Sequence, residues 1–420
     1  MCTDTQARVD HGHVRAWLPY AGFTVFGAFW GVWGASVPVI RDQAGLTDGQ
    51  LGTALLFIAA GALPAMPLAG RAVDRWGHRV TAITLMSLGI AGIAVAVTAR
   101  DLPALCVGLT VLGASSGAAD VTINAAAGSV QRAHGRPVIT RAHGFFSLAV
   151  VAASLVTGLL NAAGLPVVMP YVLVMLGAGA VSAAIVAGDR TRADAGRHGR
   201  ARTVTARTVT ARSGPGLRAH LPLLLVAGGL GALGFAVENA HQSWSAVYLA
   251  DTVRAGPALV GAGPAVFALA VSLTRFAVSA VKTRQARIVL TVGAVISAAG
   301  TSLLALTASL PLALLGLALA AVGTAVLFPT VLGLATANVP DAARGAATSV
   351  VSTSAYVGYL AGPVYVGHWA QASGLPGAML AVAALAAALA LLAWPALRAV
   401  VPSPAWRATA EAGATGRPRA

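Results

Sequence analysis

Twelve apolar stretches, each about long enough to cross a bilayer, fill nearly all of this 420-residue chain. A lipid-embedded helix needs ~20 mostly apolar residues, because its backbone must satisfy its own hydrogen bonds where there is no water. On that rule, helices are expected at 17–40, 51–69, 80–99, 103–128, 143–164, 167–188, 220–250, 257–280, 288–308, 311–336, 345–370 and 375–398. Charged residues make up only 10% of the chain and mean hydropathy is +0.77, whereas a soluble domain carries ~25% charged residues. The expected fold class is an all-α membrane protein with twelve transmembrane helices.

The basic residues orient those helices. If both termini are cytoplasmic, all but four of the 28 Lys and Arg lie on the inner side. Arg41, Arg100 and Arg254 fall outside, and Arg275 falls within the eighth span. Basic residues flanking a span stay cytoplasmic, so the asymmetry sets the topology and favours an even helix count. The expected location is the inner (plasma) membrane, multi-pass. The net charge of +15 is spread over short loops where topology explains it, so no nucleic-acid partner is expected. The first apolar run exceeds the 7–15 residues of a signal-peptide core and lacks an A-x-A-like cleavage site, so it is expected to remain as helix 1. Cys2 and Cys106 imply no disulfide framework.

Between helices 6 and 7 lies a basic stretch that repeats Ala-Arg-Thr-Val-Thr at 201–205 and 206–210, then turns polar and Gly/Pro-rich. This composition reads as a flexible linker. It divides the chain into a cytoplasmic tail at 1–16, a six-helix half at 17–188, a cytoplasmic linker at 189–219, a second six-helix half at 220–398, and a cytoplasmic tail at 399–420. The halves echo each other: Trp33 precedes a loop and Gly52, as Trp244 precedes a loop and Gly261. Two pseudo-symmetric halves around a midplane site form a transporter architecture.

After helix 2 the chain reads Gly70-Arg-Ala-Val-Asp74-Arg75-Trp-Gly77-His78-Arg79. This resembles the loop 2–3 signature G-x-x-x-D-R-x-G-R-R of the major facilitator superfamily, with His78 replacing one basic position. Gly70 would allow close helix approach, Asp74 would pair with a cation or a helix N-terminus and latch the halves in one state, and Arg75 and Arg79 would hold the loop inside. The corresponding loop after helix 8, Ser279-Ala-Val-Lys282-Thr283-Arg284, has no acid. A narrower resemblance rests on Asp120-Val-Thr-Ile-Asn124, His143-Gly-Phe-Phe-Ser147 and Trp244-Ser-Ala-Val-Tyr248-Leu. These look like the fucose-permease-related, YbjJ-type branch. The resemblance implies a major facilitator fold and a sugar-like or other small cargo. Helix 1 has Gly34 where the fucose permease carries an acid, so sugar specificity does not carry over.

Candidate site residues follow from polarity at membrane depth. Gly113, Gly117, Asp120, Asn124 and Gly128 share one stripe of helix 4, and a carboxylate in a span is a functional candidate by default. Glu238 is the other acid within a span, accompanied by Asn239, His241 and Gln242. Counting ~1.5 Å per residue puts Asp120 in the inner half and Glu238 in the outer half. Both are proton-coupling candidates, and His241 is a possible shuttle. Asn124, Trp30, Trp33, Asn239, His241, Gln242, Tyr356 and Tyr359 are substrate-cavity candidates. Arg275, near the inner end of helix 8, joins the latch residues as a gating candidate that snorkels or pairs with an inner-gate acid.

Gly113-Ala-Ser-Ser-Gly117 and Gly229-Leu-Gly-Ala-Leu-Gly234 spell two enzyme motifs. Both lie inside spans, without the strand–turn–helix context those chemistries need. No Walker A sequence is present. No catalytic residue, metal or cofactor is expected. The expectation is a monomeric secondary transporter with a small solute, protons and the lipid bilayer as its partners. The alternatives are a drug or metabolite exporter and a non-transporting receptor or scaffold. Helix 5 lacks the G-x-x-x-G-P motif usual in drug antiporters.

Overall fold

The computed structural model describes residues 17–195, 215–278, 285–337, 339 and 341–400. The tails at 1–16 and 401–420, the linker repeats and the Ser279–Arg284 loop lie outside the described residues. Every regular element among the described residues is helical. In chain order they are α1 (Leu18–Gln43), α2 (Asp48–Trp76), α3 (Arg79–Thr98), α4 (Leu102–His134), α5 (Val138–Ala162), α6 (Val168–Ala195), α7 (Pro215–Asp251), α8 (Pro257–Val260), α9 (Ala262–Val278), α10 (Ala286–Ala305), α11 (Leu310–Thr324), α12 (Leu327–Thr336) and α13 (Asp341–Val400). Large apolar side chains cover the outside, for example Val107 at 67% and Leu391 at 77% exposure. In water that surface would be unstable; in lipid it costs nothing.

Eleven of these helical segments are long and apolar enough to cross a membrane. The last of them, Ala343–Pro395, holds the two helices that the sequence places there, joined across a kink. The break expected between 370 and 375 survives as one residue, Gly374, whose φ of 74° and ψ of 167° are not helical. Only glycine adopts that backbone without strain. Spans 8 and 10 are each interrupted, at Gly261 between α8 and α9 and at Ala325–Val326 between α11 and α12.

The described residues form two compact units. The first joins the chain through Trp33 to Phe57 and onward through α6; the second joins Gly34–Leu56 to everything from α7 on. Backbone approach at small residues organises each unit. In the first, a Cβ on Gly27 or Gly31 would collide with the carbonyls of Phe146 and Val150 on α5, and Ser154 donates to the Gly31 carbonyl at 3.1 Å. On α4, a Cβ on Gly113 would collide with the Ile58 carbonyl, and one on Gly117 would meet Ala62 at 2.9 Å. In the second unit, Gly358 and Gly362 of α13 seat against the carbonyls of Ala232 and Ala236 on α7. Gly316 approaches the Gly300 carbonyl between α11 and α10. Lipid gives no hydrophobic drive for helix pairing, so van der Waals contact at small residues does this work.

Candidate functional site

Asp120 lies two turns along α4 from Gly113, on the stripe that packs against α2. It is part-buried, and the Asn124 amide one turn later donates to its Oδ1 at 3.0 Å and to its backbone carbonyl at 2.9 Å. Among the described residues no cation pairs with it. Trp30, also in the first unit, is half-buried and packs edge-on to Phe26 and Phe29 at 6.5 and 6.0 Å. Trp33 is 4% exposed, so its ring is packed and not open to a ligand.

The second unit gathers most of the remaining candidates. Glu238 is buried, and the Nη2 of Arg275 donates to its Oε1 and Oε2 at 2.9 and 3.2 Å. The Gln242 amide donates to Oε1 at 3.1 Å. Arg275 also points its Nε at the Ala325 carbonyl, 3.4 Å away, where the helical pattern lapses between α11 and α12. Glu238 is expected in the outer half and Arg275 near the inner end, snorkelling or paired with an inner-gate acid; the acid that Arg275 meets is Glu238. Residue counting ignores tilt, and a helical side chain leans toward its own N-terminus, which carries the long Arg275 back along α9.

One turn before Glu238, Phe235 stacks on Phe328 at 4.2 Å and 29°. Tyr356 and Tyr359 of α13 flank Phe235 at 5.7 and 5.9 Å. Asn239 donates to the Tyr359 carbonyl and accepts from Ser243 at 3.1 Å. His241 is fully buried, its Nδ1–H on the Val237 carbonyl at 2.7 Å, its Nε2 3.1 Å from the Thr301 hydroxyl, and its ring stacked on Phe267 at 5.4 Å. Both ring nitrogens thus have partners within the second unit.

The latch motif is not in a loop. Residues 70–76 are the last turns of α2, and only Gly77, with φ of 67°, turns the chain into α3. Gly70 is not a close-approach site either, since a Cβ there would meet only Val121 at an ordinary 3.9 Å. Asp74 is exposed and forms no ion pair among the described residues. Arg75 lies over the Trp76 ring at 5.5 Å.

Two features escaped sequence reading. Phe235 and Phe328 are ordinary apolar residues until their helices meet. At the end of α1, Arg41 binds Asp42 through Nη2 at 2.8 Å, Asp48 through Nη1 at 3.1 Å, and Asp251 through Nη1 and, at 3.1 Å, Nη2. A signal existed: Arg41 is a basic residue kept on the expected outer side, with acids at the ends of α2 and α7. Among the described residues no group of three or more His, Cys, Asp or Glu could hold a metal ion.

A family model described as Major Facilitator Superfamily matches residues 20–284 and 224–419. An uncharacterized MFS-type transporter of Yersinia pestis is 32% identical over 139 residues, 33% of this chain and 36% of that protein. The uncharacterized transporter y4wD of Sinorhizobium fredii is 30% identical over 131 residues, 31% of this chain and 35% of that protein. The chain thus spans about a third of the length of these curated relatives. A bacterial homolog of the human lysosomal transporter Spinster shares the fold at a TM-score of 0.69 and 18% identity, over 93% of this chain and 98% of that one. A D-xylose–proton symporter does so at 0.66 and 14% identity, over 91% and 97%.

Proposed function

The chain belongs to the Major Facilitator Superfamily, a family of membrane transporters and not of enzymes, and we propose that it moves a small solute across the inner membrane by alternating access, coupled to protons through Asp120. The cargo is a small metabolite. The same reading gives a monomer with both termini cytoplasmic. It also gives twelve crossings, since the non-helical Gly374 divides α13 into two stretches, each longer than the ~20 residues one crossing needs.

One observation carries the coupling. Asp120 is a part-buried carboxylate in a span whose only side-chain hydrogen bond among the described residues is to a neutral amide. Its charge changes only by taking up or releasing a proton, whereas the charge of Glu238 is already balanced by Arg275. An uncompensated acid at membrane depth marks a proton relay or an ion path. Asp74 at the end of α2 remains the gating candidate.

The test uses purified protein. A thermal-shift screen over sugars, polyols, nucleosides and carboxylates finds the ligand, because binding stabilises the folded state. That ligand is then offered to proteoliposomes under an inward proton gradient. Accumulation above the outside concentration supports the proposal. Flux equal to that of protein-free liposomes would instead support a receptor.

A further inference from the structure

Arg275 and Glu238 are unequally enclosed. The glutamate side chain is 8% exposed and the arginine 47%. Gln242, the other donor to Glu238, is exposed as well. An ion pair serving only to hold helices together would hide both charges, because an open guanidinium in hydrocarbon is costly. A guanidinium 47% exposed keeps its unused donors open to a ligand from outside the protein. Its bonds leave one nitrogen: Nη2 serves Glu238 and Nε serves Ala325, while Nη1 makes no hydrogen bond among the described residues.

What that nitrogen can bind follows from chemistry. The free Nη1 still carries N–H donors, and an anionic carboxylate accepts them more strongly than a hydroxyl or a neutral amide does. The pair is already neutral, so a monoanion adds a single charge, and a dianion would add twice the desolvation cost. The two elements that hold the guanidinium also carry a cluster of rings. Phe328 is one turn from Ala325, Phe235 is one turn from Glu238, and the two rings stack at 4.2 Å, with Tyr356, 44% exposed, against Phe235.

We propose that this corner of the second unit binds a small monocarboxylate carrying a ring or other flat apolar body. Its carboxylate accepts from the free Nη1 of Arg275, its body lies on the Phe235–Phe328–Tyr356 rings, and Glu238 is the internal anion that holds Arg275 in place and competes with the ligand for it. This names a cargo class for the transport reading and rests on that reading only for what happens after binding.

The experiment measures binding of benzoate and cyclohexanecarboxylate, with benzamide and D-glucose as neutral probes, to the full chain in detergent by calorimetry and thermal shift. Both carboxylates are expected to bind saturably and the neutral probes not. Glu238→Gln removes the competing anion and keeps the hydrogen bonds in reach, so benzoate affinity is expected to rise about tenfold. Arg275→Gln alone would strand a buried carboxylate, so the neutral pair Glu238→Gln/Arg275→Gln is used, and it is expected to fold and lose benzoate binding. Equal binding of benzamide, weaker binding in Glu238→Gln, or undiminished binding in the double variant would overturn the proposal. Failure here and failure of transport are separable. Benzoate binding without flux sinks the transport reading alone, while saturable glucose binding with no benzoate binding sinks the cargo class and leaves transport standing.

Discussion

Replacing Arg41 by Gln should loosen the second unit by an amount the geometry sets. The Arg41 side chain is 11% exposed and uses Nε, Nη1 and Nη2 together to hold Asp42, Asp48 and Asp251, which are 67%, 23% and 35% exposed. The contact with Asp42 is largely solvated and adds next to nothing. The other two are partly desolvated, and each contributes roughly 1 kcal/mol, between the surface and buried limits. The loss is then about 2 kcal/mol, or roughly 4–8 °C in melting temperature for a unit of this size. Arg41→Lys should recover less than half, because one ammonium cannot replace three nitrogens spread over a plane. The readout is thermal unfolding in detergent by tryptophan fluorescence, at low and at high salt. A melting point within about 1 °C of the parent for Arg41→Gln, or full recovery by Lys, would refute this reasoning.

Gly358→Ala should cost about 1–3 kcal/mol of stability, since its methyl would collide with the Ala232 carbonyl and backbone cannot yield as a side chain can; size-exclusion yield and melting temperature of the variant check this. Asp74→Asn should slow flux in proteoliposomes while the melting point stays within about 1 °C, because the residue is exposed and forms no ion pair among the described residues. Cysteines placed at positions 205 and 254 should label from opposite faces of intact cells, as the Arg asymmetry requires.

The class of fold was legible because lipid imposes a length and a composition on every span, and no tertiary detail is needed to read them. Boundaries were less legible. The sequence cannot show that α2 keeps winding through Asp74 to Trp76, because polar residues that leave the bilayer remain good helix formers. Asp120 was readable as a lone acid on a stripe with Gly113 and Gly117, and the structure adds only its bond to Asn124. Glu238 was readable as an acid but not as half of an ion pair, since Arg275 lies 37 residues away on another helix. The cluster of rings was invisible for the same reason: Phe235 and Phe328 have no local pattern that sets them apart from the apolar residues around them.

Coupling through Asp120 has one direct measurement, the ratio of internal to external ligand in proteoliposomes under an imposed proton gradient, for the parent and for Asp120→Asn. The substitution keeps the side chain's shape and removes its proton. The parent should concentrate the ligand, and the variant should only equilibrate it, with exchange still measurable and Glu238→Gln retaining the response to the gradient. Unchanged accumulation in Asp120→Asn, or its loss in Glu238→Gln alone, would contradict proton coupling through Asp120.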